Sequence, residues 1–330
     1  MLKKPIELKN FGVIGTDSAL CEIEKTSDGA FTAGKEGVKA ILSTLDKKVE
    51  LIAFENKTLA YLPSAVKYDA YYPIYPITSQ KPVKAVLMDL DGTSVKSEEF
   101  WMWIIEQTMR KMMKQPDFTF VPEDYPFIAG NSVSEHLTYC IKKYCPSLDL
   151  NETRRCYDDI INYELNEIMQ GRGRSGAFVP AEHLKELLLE LKANKIRIGL
   201  VTSGLYRKAM PEIISAFRTL DMGDPNEFYD AIITAGAPFE KGKPGNMSEL
   251  PIKPHPWVYA ETCRFGLGIP FEERNSVVAI EDSGAGVCSA RIAGFTAIGI
   301  AGGNIESSGT MDFCSYYRNS LDEVADLLLK

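Results

Sequence analysis

Residues 83–93 read Val83-Lys84-Ala85-Val86-Leu87-Met88-Asp89-Leu90-Asp91-Gly92-Thr93, and this stretch decides the fold. The run from Val83 to Leu90 is short, apolar and β-branched at its start. It ends in Asp-Gly, a turn signal, so it predicts a buried strand of a parallel sheet. Two carboxylates one residue apart at the exit of such a strand have poor structural reasons to be there. In open α/β sheets that edge is where ligands bind. One acid can bind a hard cation and attack an electrophile, while the other trades protons with the leaving or entering group. Gly92 allows the turn. The plainer alternative is that Asp89 and Asp91 are ordinary turn residues.

Downstream of residue 175 the pattern alternates. Helix PAEHLKELLLELKAN opens with Pro180, a good first-turn residue. Strand IRIGLV, helix GLYRKAMPEIISAF, strand YDAIITA, helix PWVYAETCRFGL, strand SVVAIED, helix GAGVCSARIAG and strand FTAIGI follow, and Ser320 and Glu323 cap a last helix, SLDEVADLLLK. This alternation predicts βαβ crossovers and an α/β, doubly wound parallel sheet. Residues 94–175 predict an inserted helical bundle. There Ser97 caps SEEFWMWIIEQTMRKMMK, Ser132 and Glu135 form a capping box, and Asn151 caps a helix that stops at Gly171. Residues 1–80 predict a small α+β extension. Its elements are strands in FGVIGTD and ALCEIE, a helix KEGVKAILSTL with Val38, Ile41, Leu42 and Leu45 at helical spacing, a half-buried strand KVELIAF, and an extended connector, YYPIYPITSQKP. The expected domains are therefore 1–80, a core of 81–93 with 176–330, and 94–175.

Composition bounds the functions. The chain has 330 residues, 45% hydrophobic and 25% charged, as in ordinary globular proteins. A formal net charge of −8 with interspersed charges disfavours nucleic acid and anionic membranes as partners, but leaves room for a locally positive site. Seven cysteines without a Cys-x-x-Cys pair predict a reduced intracellular protein rather than a disulfide scaffold or zinc site. The opening MLKKPIELKNFG is no signal peptide, and no stretch is apolar enough to span a bilayer, so the expected location is cytoplasmic.

Three further stretches join the first. Val201-Thr202-Ser203-Gly204 ends an apolar strand and offers hydroxyls and backbone N–H groups to a phosphate, with a simple Ser203 helix cap as the alternative. Lys253, in Lys-Pro-His-Pro before a helix, is placed to neutralise a phosphoryl group and a nucleophilic carboxylate. Lys243 is the competitor, and a solvated loop lysine the plainer account. Glu281-Asp282 follow strand Val277–Ile280. With Asp89 they suit Mg²⁺, which takes few carboxylates and several waters, and their plainer role is to cap the next helix. Each signal is weak alone, but their order places all of them on one rim of one sheet.

These residues resemble the haloacid dehalogenase superfamily of hydrolases: DLDGT its first motif, VTSG its second, KPHP its third and EDSGAG its fourth, over about residues 83–302. The helical insert is similar to the cap of the branch holding β-phosphoglucomutase-like enzymes and phosphoglycolate-type phosphatases. The resemblance implies a Rossmann-like core in which Asp89 attacks phosphorus to form an aspartyl-phosphate, while Asp91 protonates the leaving oxygen and then activates water. It implies that Thr202 or Ser203 and Lys253, with Gly92, Thr93 and Gly204, hold the phosphoryl oxygens. Asp89, the Asp91 carbonyl and Asp282 would bind Mg²⁺, with Glu281 close by. A small phosphorylated metabolite is the expected partner, and Asn131 the expected contact from the insert. Three departures bear on the branch. Trp101 stands where β-phosphoglucomutases have histidine, Val133 where they have arginine, and Lys96 replaces an acid of the hinge. The first two favour a phosphatase over a phosphosugar mutase; an inorganic pyrophosphatase is a further alternative. His136 and His183 are expected on helices as surface or packing residues. The first 80 residues have no counterpart in the resemblance.

Overall fold

In the computed structural model, the structure describes residues 2–63, 69–124, 133–174, 176–235 and 252–329. The chain forms two units, one of Met1–Ser94, Ala181–Ala209 and Gly223–Lys330, the other of Val95–Pro180 and Met210–Met222.

The first unit begins with seven strands. β1 (Ile6–Leu8) and β2 (Gly12–Ile14) form a hairpin. β3 (Cys21–Ile23), β4 (Val38–Ser43), β5 (Glu50–Phe54), β6 (Thr58–Leu62) and β7 (Ala70–Pro73) form an antiparallel sheet in that order. The expected α+β character is thereby corrected: among the described residues this segment is all β. The segment expected as helix KEGVKAILSTL is β4, paired with β3 and β5. Its apolar residues satisfy both a helical and a two-sided strand pattern, and periodicity cannot separate the two over so short a run. Glu36 and Gly37, at φ 50° and 79°, turn the chain into the strand. β5 is not half-buried either, because Glu50, Leu51, Ile52 and Ala53 are all enclosed. The Glu50 carboxylate accepts the Ser27 backbone N–H at 3.1 Å.

The rest of this unit is the parallel core. β8 (Ala85–Asp89) lies at the centre of a six-stranded sheet. With β11 (Arg197–Leu205), β12 (Ala231–Ala235), β13 (Val277–Glu281), β14 (Thr296–Ile300) and β15 (Tyr316–Arg318) its order is β12-β11-β8-β13-β14-β15, with all pairs parallel. This is the doubly wound, Rossmann-like sheet expected from the alternation; β15 was not anticipated. Helix Leu184–Ala193 starts four residues after Pro180, which lies in a strand instead of opening the helix. Leu42, Leu51, Leu62 and Ile74 of the N-terminal segment share one buried cluster with Val287, Cys288 and Ile292 of helix Gly284–Ala293. At about 2 kcal/mol for each fully buried aliphatic side chain, that shared cluster fixes the N-terminal β module to the core.

The second unit contains helices Glu98–Met113, Val133–Tyr144 and Leu150–Met169, with the short pair β9 (Val95–Lys96) and β10 (Val179–Pro180). Ser97 makes no side-chain cap bond. The third helix is capped by Asp149, which accepts the Glu152 N–H at 2.9 Å, rather than by Asn151. Buried Asp124 anchors this unit by accepting from Tyr139 at 2.7 Å, from Lys143 at 2.5 Å and from Tyr144. Burial works to raise its pKa, but these bonds outweigh it and bring the carboxyl down to about 2. Trp101 packs edge-on against Phe100, with ring centroids 5.0 Å apart. All seven cysteines are free. No described helix is long and apolar enough to cross a membrane.

Candidate active site

The topology determines where the chemistry converges. From β8 the chain adds β11 and β12 on one side, then returns to place β13 to β15 on the other. The strand order thus reverses beside β8, and in sheets of this kind ligands bind outside the carboxyl ends of the strands at such a point. Register does the rest. Asp89 is level with Val201, the residue before Thr202, and Met88 is level with Ile280, the residue before Glu281. Three separate stretches of sequence therefore end on one rim.

Lys253 reaches that rim from the loop before helix Trp257–Glu261. Its Nζ is paired with Asp89 Oδ1 and, at 2.6 Å, with Glu281 Oε1. Lys253 is 9% exposed, Asp89 6% and Glu281 0%. Neither a solvated loop lysine nor a turn acid fits such burial. The cap of helix Gly284–Ala293 is Ser283, whose Oγ accepts the Gly286 N–H at 3.1 Å. Glu281 and Asp282 are thus free of the plainer capping role.

Glu281 is held on several sides. Tyr259 donates its hydroxyl to the same Oε1 that meets Lys253, and Ser283 Oγ donates to Oε2 at 3.0 Å. A Cβ on Gly286 would lie 2.0 Å from either carboxylate oxygen, so only glycine leaves room there. Asp282 Oδ1 accepts from Thr93 Oγ1 at 3.2 Å. Gly92 has φ +84°, and a Cβ on it would meet Asp282 Oδ2 at 2.1 Å. Glycine is therefore required at this turn for both conformation and space. Ser94 Oγ donates to the Asp89 carbonyl at 2.6 Å and fixes the strand exit. In the second stretch, Thr202 Oγ1 accepts the Gly204 N–H at 2.9 Å, and Ser203 Oγ accepts the Lys253 N–H at 3.1 Å. Asp91 is exposed on the same rim; its Oδ2 lies 4.0 Å from the position of a Cβ on Gly204.

Asp89, Lys253, Glu281 and Asp282 are thus brought together, with Thr202 to Gly204 tied to them through Lys253. The sequence reading missed Tyr259, Ser283, Ser94 and Gly286 as supporting groups. Tyr259 lies within the expected helix PWVYAETCRFGL, and no local pattern marks its hydroxyl. Asn131 and Lys243 lie outside the described residues.

Electrostatics follow from burial and crowding. Burial raises the Asp89 carboxyl well above the carboxylate range. Glu281 raises it further, Lys253 opposes, and Asp282 and Asp91 add to the rise. Burial, then Glu281, lifts Asp282 to about 7 against the pull of Lys253 and Thr93. Burial works against the Lys253 ammonium, but Asp89 and Glu281 outweigh it and hold its pKa above the ordinary lysine value. Burial, with Glu281 and Asp89, likewise keeps the Tyr259 phenol protonated.

The donor set fits a hard divalent cation. Asp89, Glu281 and Asp282 each present a carboxylate oxygen within 4.8 Å of the others. When ionised, three negative charges against one ammonium leave two uncompensated negatives, the complement of Mg²⁺. A pH dependence follows. An acid raised from 3.8 to about 7 stabilises the folded state below pH 4, and that stability is lost as pH rises towards 7. A cation needs the ionised form, so binding releases protons. The metal-free protein should therefore lose thermal stability between pH 5 and pH 8. Millimolar Mg²⁺ should raise the Tm more at pH 8 than at pH 5. Equal shifts in calorimetry at the two pH values would remove this cluster as the cation site.

The family described as haloacid dehalogenase-like hydrolase matches residues 86–300. No curated protein matches the chain. Among solved structures, that of a predicted phosphoglycolate phosphatase from Haemophilus somnus 129PT is 16% identical. It has a TM-score of 0.56 and covers 76% of this chain and 99% of its own. CbbY from Rhodobacter sphaeroides, solved in complex with phosphate, is 20% identical with a TM-score of 0.52, covering 73% and 96%. A HAD-superfamily hydrolase, subfamily IA, variant 1, from Geobacter sulfurreducens PCA is 18% identical with a TM-score of 0.51, covering 76% and 99%. At such identities these likenesses speak to the fold.

Proposed function

The chain belongs to the haloacid dehalogenase-like hydrolases, and on that premise we propose a Mg²⁺-dependent phosphatase of small phosphorylated metabolites that uses Asp89 as its nucleophile. The observation that carries this reading is the buried Lys253 ammonium between Asp89 and Glu281, with Asp282 in the same cluster and the exposed acid Asp91 two residues after Asp89.

The chemistry can be written on these groups. One Asp89 carboxylate oxygen attacks phosphorus in line. The bond to the leaving oxygen breaks, and Asp91 gives that oxygen a proton. Asp91 then takes a proton from a water that attacks phosphorus. The aspartyl-phosphate opens, releasing inorganic phosphate and restoring Asp89. General acid–base help of this kind contributes about 10²- to 10⁴-fold. Lys253 neutralises both Asp89 and the phosphoryl oxygens. Thr202, Ser203, Gly204, Gly92 and Thr93 supply hydroxyls and backbone N–H groups around them. Asp89, the Asp91 carbonyl and Asp282 would hold Mg²⁺, and the cation would supply positive charge to offset the phosphoryl negative charge. Glu281 is better read as the anchor of Lys253, because Lys253, Tyr259 and Ser283 already occupy its oxygens. Asp91 favours phosphate over halide as leaving-group chemistry, since halide loss requires no acid.

Phosphate release from a panel of sugar phosphates, phosphoglycolate and pyrophosphate, with and without Mg²⁺, tests the proposal. Mg²⁺-dependent release from a phosphomonoester is expected. β-Glucose 1-phosphate converted to its 6-phosphate without release would instead support a mutase. Hydrolysis of pyrophosphate alone would support a pyrophosphatase.

A further inference from the structure

The N-terminal β module precedes the region matched by the family, which begins at residue 86. It nonetheless touches the loop that carries Lys253. Tyr72, on β7, places its hydroxyl 2.9 Å from Nδ1 of His255, two residues beyond Lys253. The same hydroxyl lies 3.1 Å from Nε1 of Trp257. An indole N–H can only donate, so Tyr72 Oη accepts from Trp257, and its own proton is available to His255 Nδ1 when that nitrogen carries none. That assignment requires a neutral His255 with its proton on Nε2. Burial lowers the pKa of His255, which agrees with the neutral form.

Around Lys253 the core supplies ties of its own. Ser203 Oγ receives the Lys253 N–H, and Ser289 Oγ donates to the His255 carbonyl at 2.5 Å. Tyr72 adds two bonds that grip side chains on both sides of Pro256. The module makes a second grip at the fourth motif. Arg291, in the helix that follows Asp282, donates to the carbonyl of Tyr75 at 3.0 Å and of Asn10 at 2.6 Å. Its guanidinium lies 4.9 Å from the Phe11 ring centroid. Both chain segments that bring charge to Asp89 are thus held from the N-terminal module.

We propose that the N-terminal β module is a positioning element of the active site, and that Tyr72 acts through His255 and Trp257 to hold Lys253 against Asp89 and Glu281. The role of Lys253 rests on the phosphatase reading; the hold on its loop does not. A charge displaced by even 1 Å from its working position costs about 10²-fold in rate, so a hydroxyl that touches no substrate matters through Lys253.

The test uses the full chain. Tyr72→Phe keeps the ring and removes the two bonds. Its kcat on the best substrate of the panel should fall about tenfold, with KM changed less than twofold and Tm within a few degrees of wild type. Backbone hydrogen exchange over residues 252–257 should speed up several-fold. Paired with Lys253→Ala, Tyr72→Phe should add little, because one acts through the other. His255→Asn, which keeps an acceptor near the Nδ1 position, should retain most activity, while His255→Leu should match Tyr72→Phe. That pair decides the matter should Tyr72→Phe fold poorly. Wild-type kcat with unchanged exchange in Tyr72→Phe, a loss fully additive to Lys253→Ala, or equal losses in both His255 variants would overturn the inference. If wild type turns over nothing on the panel, the phosphatase reading falls. The exchange comparison then decides the hold by itself, faster exchange supporting it and unchanged exchange overturning it.

Discussion

Asp89→Asn is expected to lower kcat for phosphate release by roughly 10⁴-fold or more, the scale seen when a catalytic nucleophile is removed. The side chain keeps its shape but loses the charge that attacks phosphorus. Stability should move the other way in Mg²⁺-free buffer at pH 8. Burial and Glu281 already raise the Asp89 carboxyl well above the carboxylate range, so its ionised form is unfavourable in the folded state. Neutral asparagine leaves one uncompensated negative charge in place of two, and the Tm should stay level or rise. The Mg²⁺-induced rise in Tm should shrink, because one ligand has gone. Turnover within tenfold of wild type would remove Asp89 as the nucleophile. A large loss of Tm with activity retained would make it a structural residue.

Lys253→Ala should be nearly as damaging to activity and far more damaging to the fold. The ammonium sits between Asp89 and Glu281 with 6% of its side chain exposed. Removing it leaves buried carboxylates facing one another, and breaking such a pair costs about 3–5 kcal/mol. The loss should depend on pH. Without the ammonium the carboxylates hold protons more tightly, so stability is retained at low pH and declines as pH rises. The Tm deficit relative to wild type should therefore be larger at pH 8 than at pH 5, and Mg²⁺ should recover part of it. Lys253→Met, which keeps most of the side-chain volume, should show the same pH dependence. A deficit independent of pH in both variants would mean that packing of the lysine stem, not its charge, matters there. Rate losses of about 10³-fold are expected from the missing electrostatic stabilisation alone.

The core was legible because its signals are local and repeated. Strands of β-branched and aliphatic residues alternate with amphipathic helices, and that pattern admits few topologies. β11, β12, β13 and β14 fall where their apolar runs stand. The N-terminal module was misread at β4 because a six-residue run buried on both faces carries no period. The capping errors have a similar cause. Asp149 and Asn151 are both good caps two residues apart, and only the backbone conformation selects Asp149. Ser283 is the cap that relieves Glu281 and Asp282 of that role, and the sequence reading had offered only the two acids.

Sequence by itself determined the order of the chemistry: two acids, a hydroxyl pair, a lysine and two acids, each at or after an apolar strand or before a helix. It did so because residue type and strand exits are properties of short segments. Tertiary structure alone decided the rest. Strand register set Asp89 level with Val201 and beside Glu281. Burial then drew Asp89, Lys253, Glu281 and Asp282 into one cluster in which the Asp89 and Asp282 carboxyls resist ionisation. Tyr259 and Tyr72 act from segments far along the chain, and long-range contacts of that kind leave no trace in local spacing.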